Sequence, residues 1–271
     1  MDRLLSIVKR LRDPEQGCSW DRKQDFRSLI PCTLEESYEV CEAIEKGDFD
    51  ELREELGDLL LQVVFHSTIA EEEGLFDFEA VAGAICEKLV RRHPHVFGKV
   101  TYASDEERVK AWEAAKSDER RSKARKDENE TSSILDGLTS SLPSLMFASK
   151  MQRRASIHGF DWNEAGPVFD KVEEELEELR DAWKSGQQSH IREELGDLLF
   201  VTVNLARHLQ VDSETALREA SRKFESRFRY IEEQVARSGR QIDDCPLEEL
   251  DAFWDEAKIS LAAKSSAVST D

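Results

Sequence analysis

The sequence predicts an all-α protein made of two tandem, duplicated helical-bundle domains. Glycine and proline are sparse, 12 and 6 in 271 residues, too few for the many tight turns of an all-β fold. Apolar residues recur at helical spacing along most of the chain. The octapeptide REELGDLL stands at 53–60 and again, letter for letter, at 192–199.

Taken in order, the chain opens with MDRLLSIVKRLRDP, an amphipathic helix start without the apolar core and cleavage site of a signal peptide. The acidic segment EESYEV at 35–40 reads as a second helix, closed by a turn at Gly47-Asp48. Across 52–66, Leu52, Leu56, Leu59, Leu60, Val63 and Val64 make a broad apolar stripe on a third. A basic helix with Lys88 and Arg92 ends at His93-Pro94-His95, and Trp112 opens WEAAK at 112–116. Residues 117–133, SDERRSKARKDENETSS, have no periodic apolar positions and read as a flexible polar linker.

The second half repeats this order. EELEEL at 174–179 answers to EESYEV at an offset of 139, with a turn at Gly186 after it. The second REELGDLL keeps that same offset and continues into a stripe of Leu195, Leu198, Leu199 and Val203. Lys223 and Arg227 answer to Lys88 and Arg92 at an offset of 135, on a helix striped by Phe224, Phe228 and Ile231. WDEAK at 254–258 answers to WEAAK at an offset of 142. Four landmarks in one order at nearly constant spacing define a duplication. The expected division is an N-terminal domain at 1–116, the linker at 117–133, a C-terminal domain at 134–260 and a frayed tail at 261–271. Halves of four or five helices with stripes this wide should bury surplus apolar surface against another copy of the chain.

Charge narrows the partners. Lys and Arg number 38 against 58 Asp and Glu, a net of −20, which argues against nucleic-acid backbones. A small anionic substrate would be repelled as well, unless a metal cation intervened. No apolar run reaches the roughly 18 residues of a membrane span; LLLQVVF at 59–65 is the best stretch. The cysteines, Cys18, Cys32, Cys41, Cys86 and Cys245, form no C-x-x-C pair and read as reduced thiols of a cytoplasmic protein.

The chemistry lies in E-x-x-E followed by E-x-x-D: Glu36, Glu39, Glu55 and Asp58 in the first half, Glu175, Glu178, Glu194 and Asp197 in the second. Residues three apart share a helix face, so two antiparallel helices can converge four carboxylates. Such convergence is unfavourable unless a cation binds or protons are retained. An all-oxygen donor set favours Mg²⁺, with Mn²⁺ as a substitute. A di-iron bundle would need Glu-x-x-His, and an EF-hand its glycine-bearing loop; neither is present. The plainer alternative is a pair of solvated acidic helices, which repetition on adjacent helices makes less economical. Gly57 and Gly196, inside the motif helices, cost about 1 kcal/mol each relative to alanine; close helix approach beside the carboxylates is the expected compensation.

Cations accompany the carboxylates. Lys171 precedes Glu175 by one turn, His190 stands likewise to Glu194, and Lys223 and Arg227 share a face at i, i+4. Each could hold phosphate oxygens or merely make a surface ion pair. Trp112 and Trp254 could stack on a base or fill the bundle.

Over nearly its whole length, through CTLEESYEV, KLVRRHPHVF, GFDW at 159–162 and both REELGDLL copies, the sequence resembles the MazG family of the all-α NTP pyrophosphatase superfamily. The resemblance implies a cytoplasmic homodimer of helical bundles that hydrolyses NTPs or dNTPs to monophosphate and pyrophosphate with Mg²⁺, broadly in base. It also implies Glu175, Glu178, Glu194 and Asp197 as magnesium ligands. Lys223, Arg227 and Trp254 match substrate-contacting positions, with Lys88, Arg92 and Trp112 as their N-terminal counterparts. Lys171, Glu174 and the 190–193 stretch, including His190, Arg192 and Glu193, lie where the family approaches the nucleotide, His190 being a shorter basic residue than is usual there. Glu174 or Glu193 is the candidate base for the attacking water, and the C-terminal half is the expected principal catalyst. A selective dUTP or dCTP pyrophosphatase and a non-catalytic acidic module that docks a basic partner are the alternatives.

Overall fold

The computed structural model describes residues 1–124 and 133–268, with the backbone alone at residues 113, 117, 118, 120–124 and 261–268. Among these residues every regular element is helical. The chain divides into two compact units, Met1–Glu119 and Arg120–Asp271.

The first unit begins with α1 (Asp2–Leu11), then α2 (Ile30–Lys46) and α3 (Phe49–Glu72). Gly47 closes α2 in the left-handed conformation, φ 72°, which glycine adopts without a Cβ penalty. Asp48 then caps α3 by accepting hydrogen bonds from the Asp50 and Glu51 amides. This tight joint sets α2 and α3 against each other. The buried core lies between α1, α3 and the segment leading into α2: it holds Val8, Leu29, Val64, Phe65 and Ile69, with Leu4, Leu5, Phe26, Leu61 and Phe78 packed on it. The helices α4 (Phe78–Arg92), α5 (Pro94–Phe97) and α6 (Asp105–Ala124) follow. Asp77 caps α4 through the Ala80 amide.

The second unit repeats the plan with α7 (Ser144–Ile157), α8 (Gly166–Ser185), α9 (Gln188–His208), α10 (Ser213–Arg237) and α11 (Leu247–Val268). Gly186, at φ 72°, joins α8 to α9 as Gly47 joins α2 to α3. Val168, Ala182, Val201, Val203, Ile231, Val235 and Ala257 are buried. The Gln152 amide on α7 donates to the Phe200 carbonyl of α9 at 2.8 Å. Beyond α7, Asp161 of GFDW accepts from Arg207 at 2.5 and 2.8 Å and lies 3.0 Å from His208 Nε2. That knot fastens the α7–α8 connection to the end of α9.

Two expectations change. The helix α6 runs to Ala124, so residues 117–124 of the stretch read as linker are helical; no apolar stripe marks them, and the segment RVKAWEAAKSDERRSKA propagates from good helix formers instead. Residues 125–132 lie outside the described residues. The helix α11 likewise continues through Val268, into the stretch read as a frayed tail, while 269–271 lie outside the described residues.

The second change concerns the glycines. A Cβ built at Gly57 or Gly196 meets nothing within 4 Å, so nothing among the described residues packs on the glycine faces, and the glycines are not what lets the paired helices approach. The turns at Gly47 and Gly186 bring α2 to α3 and α8 to α9 along other faces. The stripes are also split: Val64 and Val203 are buried, whereas Leu56, Leu60, Leu195, Leu199, Phe224 and Phe228 remain exposed.

Candidate metal and phosphate site

Both helix pairs converge carboxylates. In the first unit Glu36 and Glu39 of α2 and Glu55 of α3 offer oxygens that all lie within 4.8 Å of one another. In the second, Glu175 of α8 and Glu194 and Asp197 of α9 do the same. The fourth member stands close enough to be felt in each. Partial burial and then the charges of Asp58, Glu39 and Glu55 push the Glu36 carboxyl up. Burial, Glu39 and Asp58 do the same to Glu55. In the second unit, burial followed by Glu175 and Glu194 raises Glu178, against the opposing pull of Lys171. Raised carboxyl groups that crowd one another are sites short of positive charge, and an all-oxygen cluster of this size suits a hard divalent cation.

The two clusters differ in the charges around them. Lys171 Nζ lies 2.8 Å from both Glu174 Oε1 and Glu175 Oε1, and these hydrogen bonds, Glu174 first, hold its ammonium above the usual lysine range. His190 Nε2 lies 2.8 Å from Glu194 Oε1. At the matching positions of the first half, by the offset that links the two REELGDLL copies, stand Cys32 and Glu51. Among the described residues, the second cluster carries counter-charges from its own helices and the first does not. Glu175 and Glu194 are buried, while Arg192 and Glu193 are exposed. Among the described residues neither of the latter has a hydrogen bond or ion pair to the cluster.

The Lys-x-x-x-Arg helices and the tryptophans form separate groups. On α10 and α11, Arg227 lies over the Trp254 ring at 5.2 Å, and Phe224 packs on the same ring at 5.2 Å and on Phe228 at 6.0 Å. Lys223 is exposed beside them. Among the described residues, no hydrogen bond or ion pair joins Lys223 or Arg227 to the carboxylates. In the first unit, Lys116 lies over Trp112 at 3.9 Å. Arg92 is held by Glu119 of α6, Nη2 to Oε2 at 2.5 Å and Nε to Oε1 at 3.2 Å. Arg91 joins the same carboxylate at 2.7 and 3.1 Å. Those arginines, Arg92 foremost, bring the Glu119 carboxyl down to about 2. Glu119 falls within the stretch that the sequence marks as linker, and Phe224 belongs to an apolar stripe to which the sequence assigns no binding role. The offset of 142 gives no signal for Glu119, because it leads to Leu261, in the stretch that the sequence marks as a tail.

An all-α chain with a duplicated helix pair, each pair lined by carboxylates, is the class that fold and site define. The MazG nucleotide pyrophosphohydrolase domain pattern matches it twice, at residues 24–97 and 168–231, and the chain belongs to that family. It is 49% identical over 260 residues to the nucleoside triphosphate pyrophosphohydrolase of Escherichia coli K12, covering 95% of this chain and 97% of that one. To the nucleoside triphosphate pyrophosphohydrolase/pyrophosphatase MazG of Thermotoga maritima it is 46% identical, covering 95% of both. A crystal structure of a mazG-related protein from Thermotoga maritima aligns with 43% of this chain and 98% of its own at 31% identity and a TM-score of 0.37. No helix among the described residues is long and apolar enough to cross a membrane.

Proposed function

We propose that this chain is a cytoplasmic nucleoside triphosphate pyrophosphohydrolase that uses Mg²⁺, is broad in base, and releases monophosphate and pyrophosphate, chiefly from its C-terminal half. The observation that carries the reading is the oxygen cluster of Glu175, Glu194 and Asp197, with Glu178 beside it and Lys171 and His190 already in place. The activity for which relatives aligned along almost their whole length are named supports it.

Glu175, Glu178, Glu194 and Asp197 would hold the metal, Mn²⁺ substituting for Mg²⁺. The bound ion would screen the triphosphate and stabilise charge developing on the α-phosphoryl group. Glu174, exposed at the rim and linked to the cluster through Lys171, is better placed than Glu193 to accept the proton of the attacking water. Lys171 would turn from carboxylate to phosphate once the metal's charge relieves Glu175. Lys223 and Arg227 would neutralise the leaving pyrophosphate, and Trp254 with Phe224 would offer the base an aromatic face.

The same chemistry predicts a homodimer. Leu56 and Leu60 in one half and Leu195 and Leu199 in the other lie exposed at matching positions, next to Gly57 and Gly196 with open space before them. A second copy lying on this face would cover the apolar surface and bring α10 residues toward carboxylates that they do not reach within one chain.

³¹P NMR of the protein with a panel of nucleoside triphosphates, with Mg²⁺ and with EDTA, tests the reaction. Monophosphate and pyrophosphate that form only with the metal, at similar rates across bases, are expected. Nucleoside diphosphate and orthophosphate would move the attack to the γ position. Turnover confined to dUTP or dCTP would replace broad specificity with selection, and no turnover would leave a binding module.

A further inference from the structure

The two halves repeat each other in carboxylates, in the Lys-x-x-x-Arg pair and in the tryptophan, yet the arginines have different partners. Arg227 rests on an aromatic ring and makes no ion pair among the described residues. Arg92 is gripped edge-on by Glu119, with side chains 18% and 19% exposed, and Arg91 doubles the grip. A planar guanidinium that meets two oxygens side by side is the geometry by which arginine takes a phosphate. Glu119 therefore presents to Arg92 what a phosphate would present.

Glu119 and Arg91, which complete this arrangement, are not repeated at the corresponding positions of the C-terminal half. The starts of α6 and α11 are related by the same offset of 142 that links Trp112 to Trp254, and the residue that corresponds to Glu119 is Leu261. By the offset of 135 that links Arg92 to Arg227, the residue that corresponds to Arg91 is Ser226. Both the gripping carboxylate and the second arginine are absent from those positions in the C-terminal half. The pair lies wholly within the unit Met1–Glu119, so it needs no partner chain to form.

We infer that Glu119 is an internal phosphate mimic that occupies Arg92 and keeps the N-terminal half in a state of low affinity for polyphosphate. This rests on the reading of Arg227 and Arg92 as phosphate-contacting positions. A triphosphate arriving at the first cluster has to displace a half-buried, two-point, charge-assisted pair before Arg92 can serve it. Among the described residues, no carboxylate competes for Arg227 in this way. Glu119 acts through Arg92, as a positioning residue, and adds its own bias against filling of the N-terminal site.

The test uses the full chain with Glu194→Gln to weaken the C-terminal cluster. Binding of Mg²⁺ with an α,β-methylene nucleoside triphosphate, and of Mg²⁺ with inorganic tripolyphosphate, is measured by calorimetry. Glu119→Leu and Glu119→Gln are each expected to tighten binding about tenfold or more, and adding Arg92→Ala should return it to the parent value. The glutamine variant keeps the side chain's shape should the leucine variant fold poorly, as thermal melting would show. Unchanged affinity in the folded glutamine variant, or a gain that survives Arg92→Ala, overturns the inference. Wild-type turnover measured alongside separates the two claims. Turnover without a gain at Glu119 removes the mimic alone, whereas a gain on tripolyphosphate in a protein that turns over no nucleotide keeps the mimic and removes the reaction.

Discussion

Replacing Lys171 with methionine removes the charge from the middle of the second cluster while keeping a stem of similar length. In the structure its ammonium lies 2.8 Å from both Glu174 and Glu175, the latter side chain only 9% exposed. A hydrogen bond to a charged, buried partner is worth about 1.5–3 kcal/mol. One third of the lysine side chain meets solvent, which discounts the interaction toward about 1.5 kcal/mol. Without metal, Lys171→Met should therefore lower the melting temperature by about 4 °C. The same charge works against the entering cation, and about 1.4 kcal/mol is a factor of ten, so Mg²⁺ should bind the variant about ten times more tightly. Melting curves across an Mg²⁺ titration read both effects. The variant should start below the wild-type protein and gain more from the metal, while losing turnover because the phosphate loses a partner. A variant that melts with the wild-type protein in EDTA and shows the same Mg²⁺ midpoint would refute the idea that Lys171 holds the place of the metal's charge.

Glu178→Ala should reduce turnover at least about 100-fold with no loss of thermal stability, since the carboxylate it removes is crowded by Glu175 and Glu194; a wild-type rate would show that Glu178 holds nothing. Glu36, Glu55 and Glu178 all have raised carboxyl groups, so the metal-free fold binds their protons more tightly than the unfolded chain does. Its stability should fall as pH rises from the ordinary glutamate value of 4.5 through the raised values, and Mg²⁺ should cancel that fall. A metal-free stability that rises across that interval in melts at stepped pH would contradict the crowding. Asp161→Asn should cost about 2 kcal/mol, between an exposed and a fully buried pair, because Arg207 and His208 lose their shared carboxylate. Burial raises that carboxyl, but the hydrogen bonds from Arg207 and His208 win and lower it. The difference in melting should therefore be full at neutral pH and close as pH falls below 3.8; a difference that persists in acid would assign it to packing.

Periodicity and repetition made the helices and the duplication legible, because an apolar stripe and an eight-letter repeat are local patterns. The carboxylate sets were legible for the same reason: i, i+3 spacing fixes a shared face, and the turns at Gly47 and Gly186 then bring the faces together. What escaped depends on tertiary geometry or on pattern-poor sequence. Residues 117–124 lack apolar positions, yet the helix continues through them, and with it went Glu119. The role given to Gly57 and Gly196 failed because a glycine in a helix signals only that room is wanted, and in the structure the room is empty. The split between buried Val64 and exposed Leu60 likewise follows from which side of α3 meets α1 and α2, something a stripe alone does not specify.

In the proposed homodimer, those vacant glycine faces would tie local order to concentration. A helix interrupted by glycine forms less readily by itself, by about 1 kcal/mol per interruption, and α3 and α9 each carry that handicap with nothing among the described residues packed at the glycine itself. Anything that settles on the face supplies the missing contacts and straightens the balance. Backbone order in the middle of α3 and α9 should thus follow a mass-action curve. Amide protons there would exchange faster in dilute protein than in concentrated protein, while those near Val8 and Ile69 would be indifferent to dilution. In such a fold the same two residues that weaken the isolated helix make its surface smooth enough to be covered.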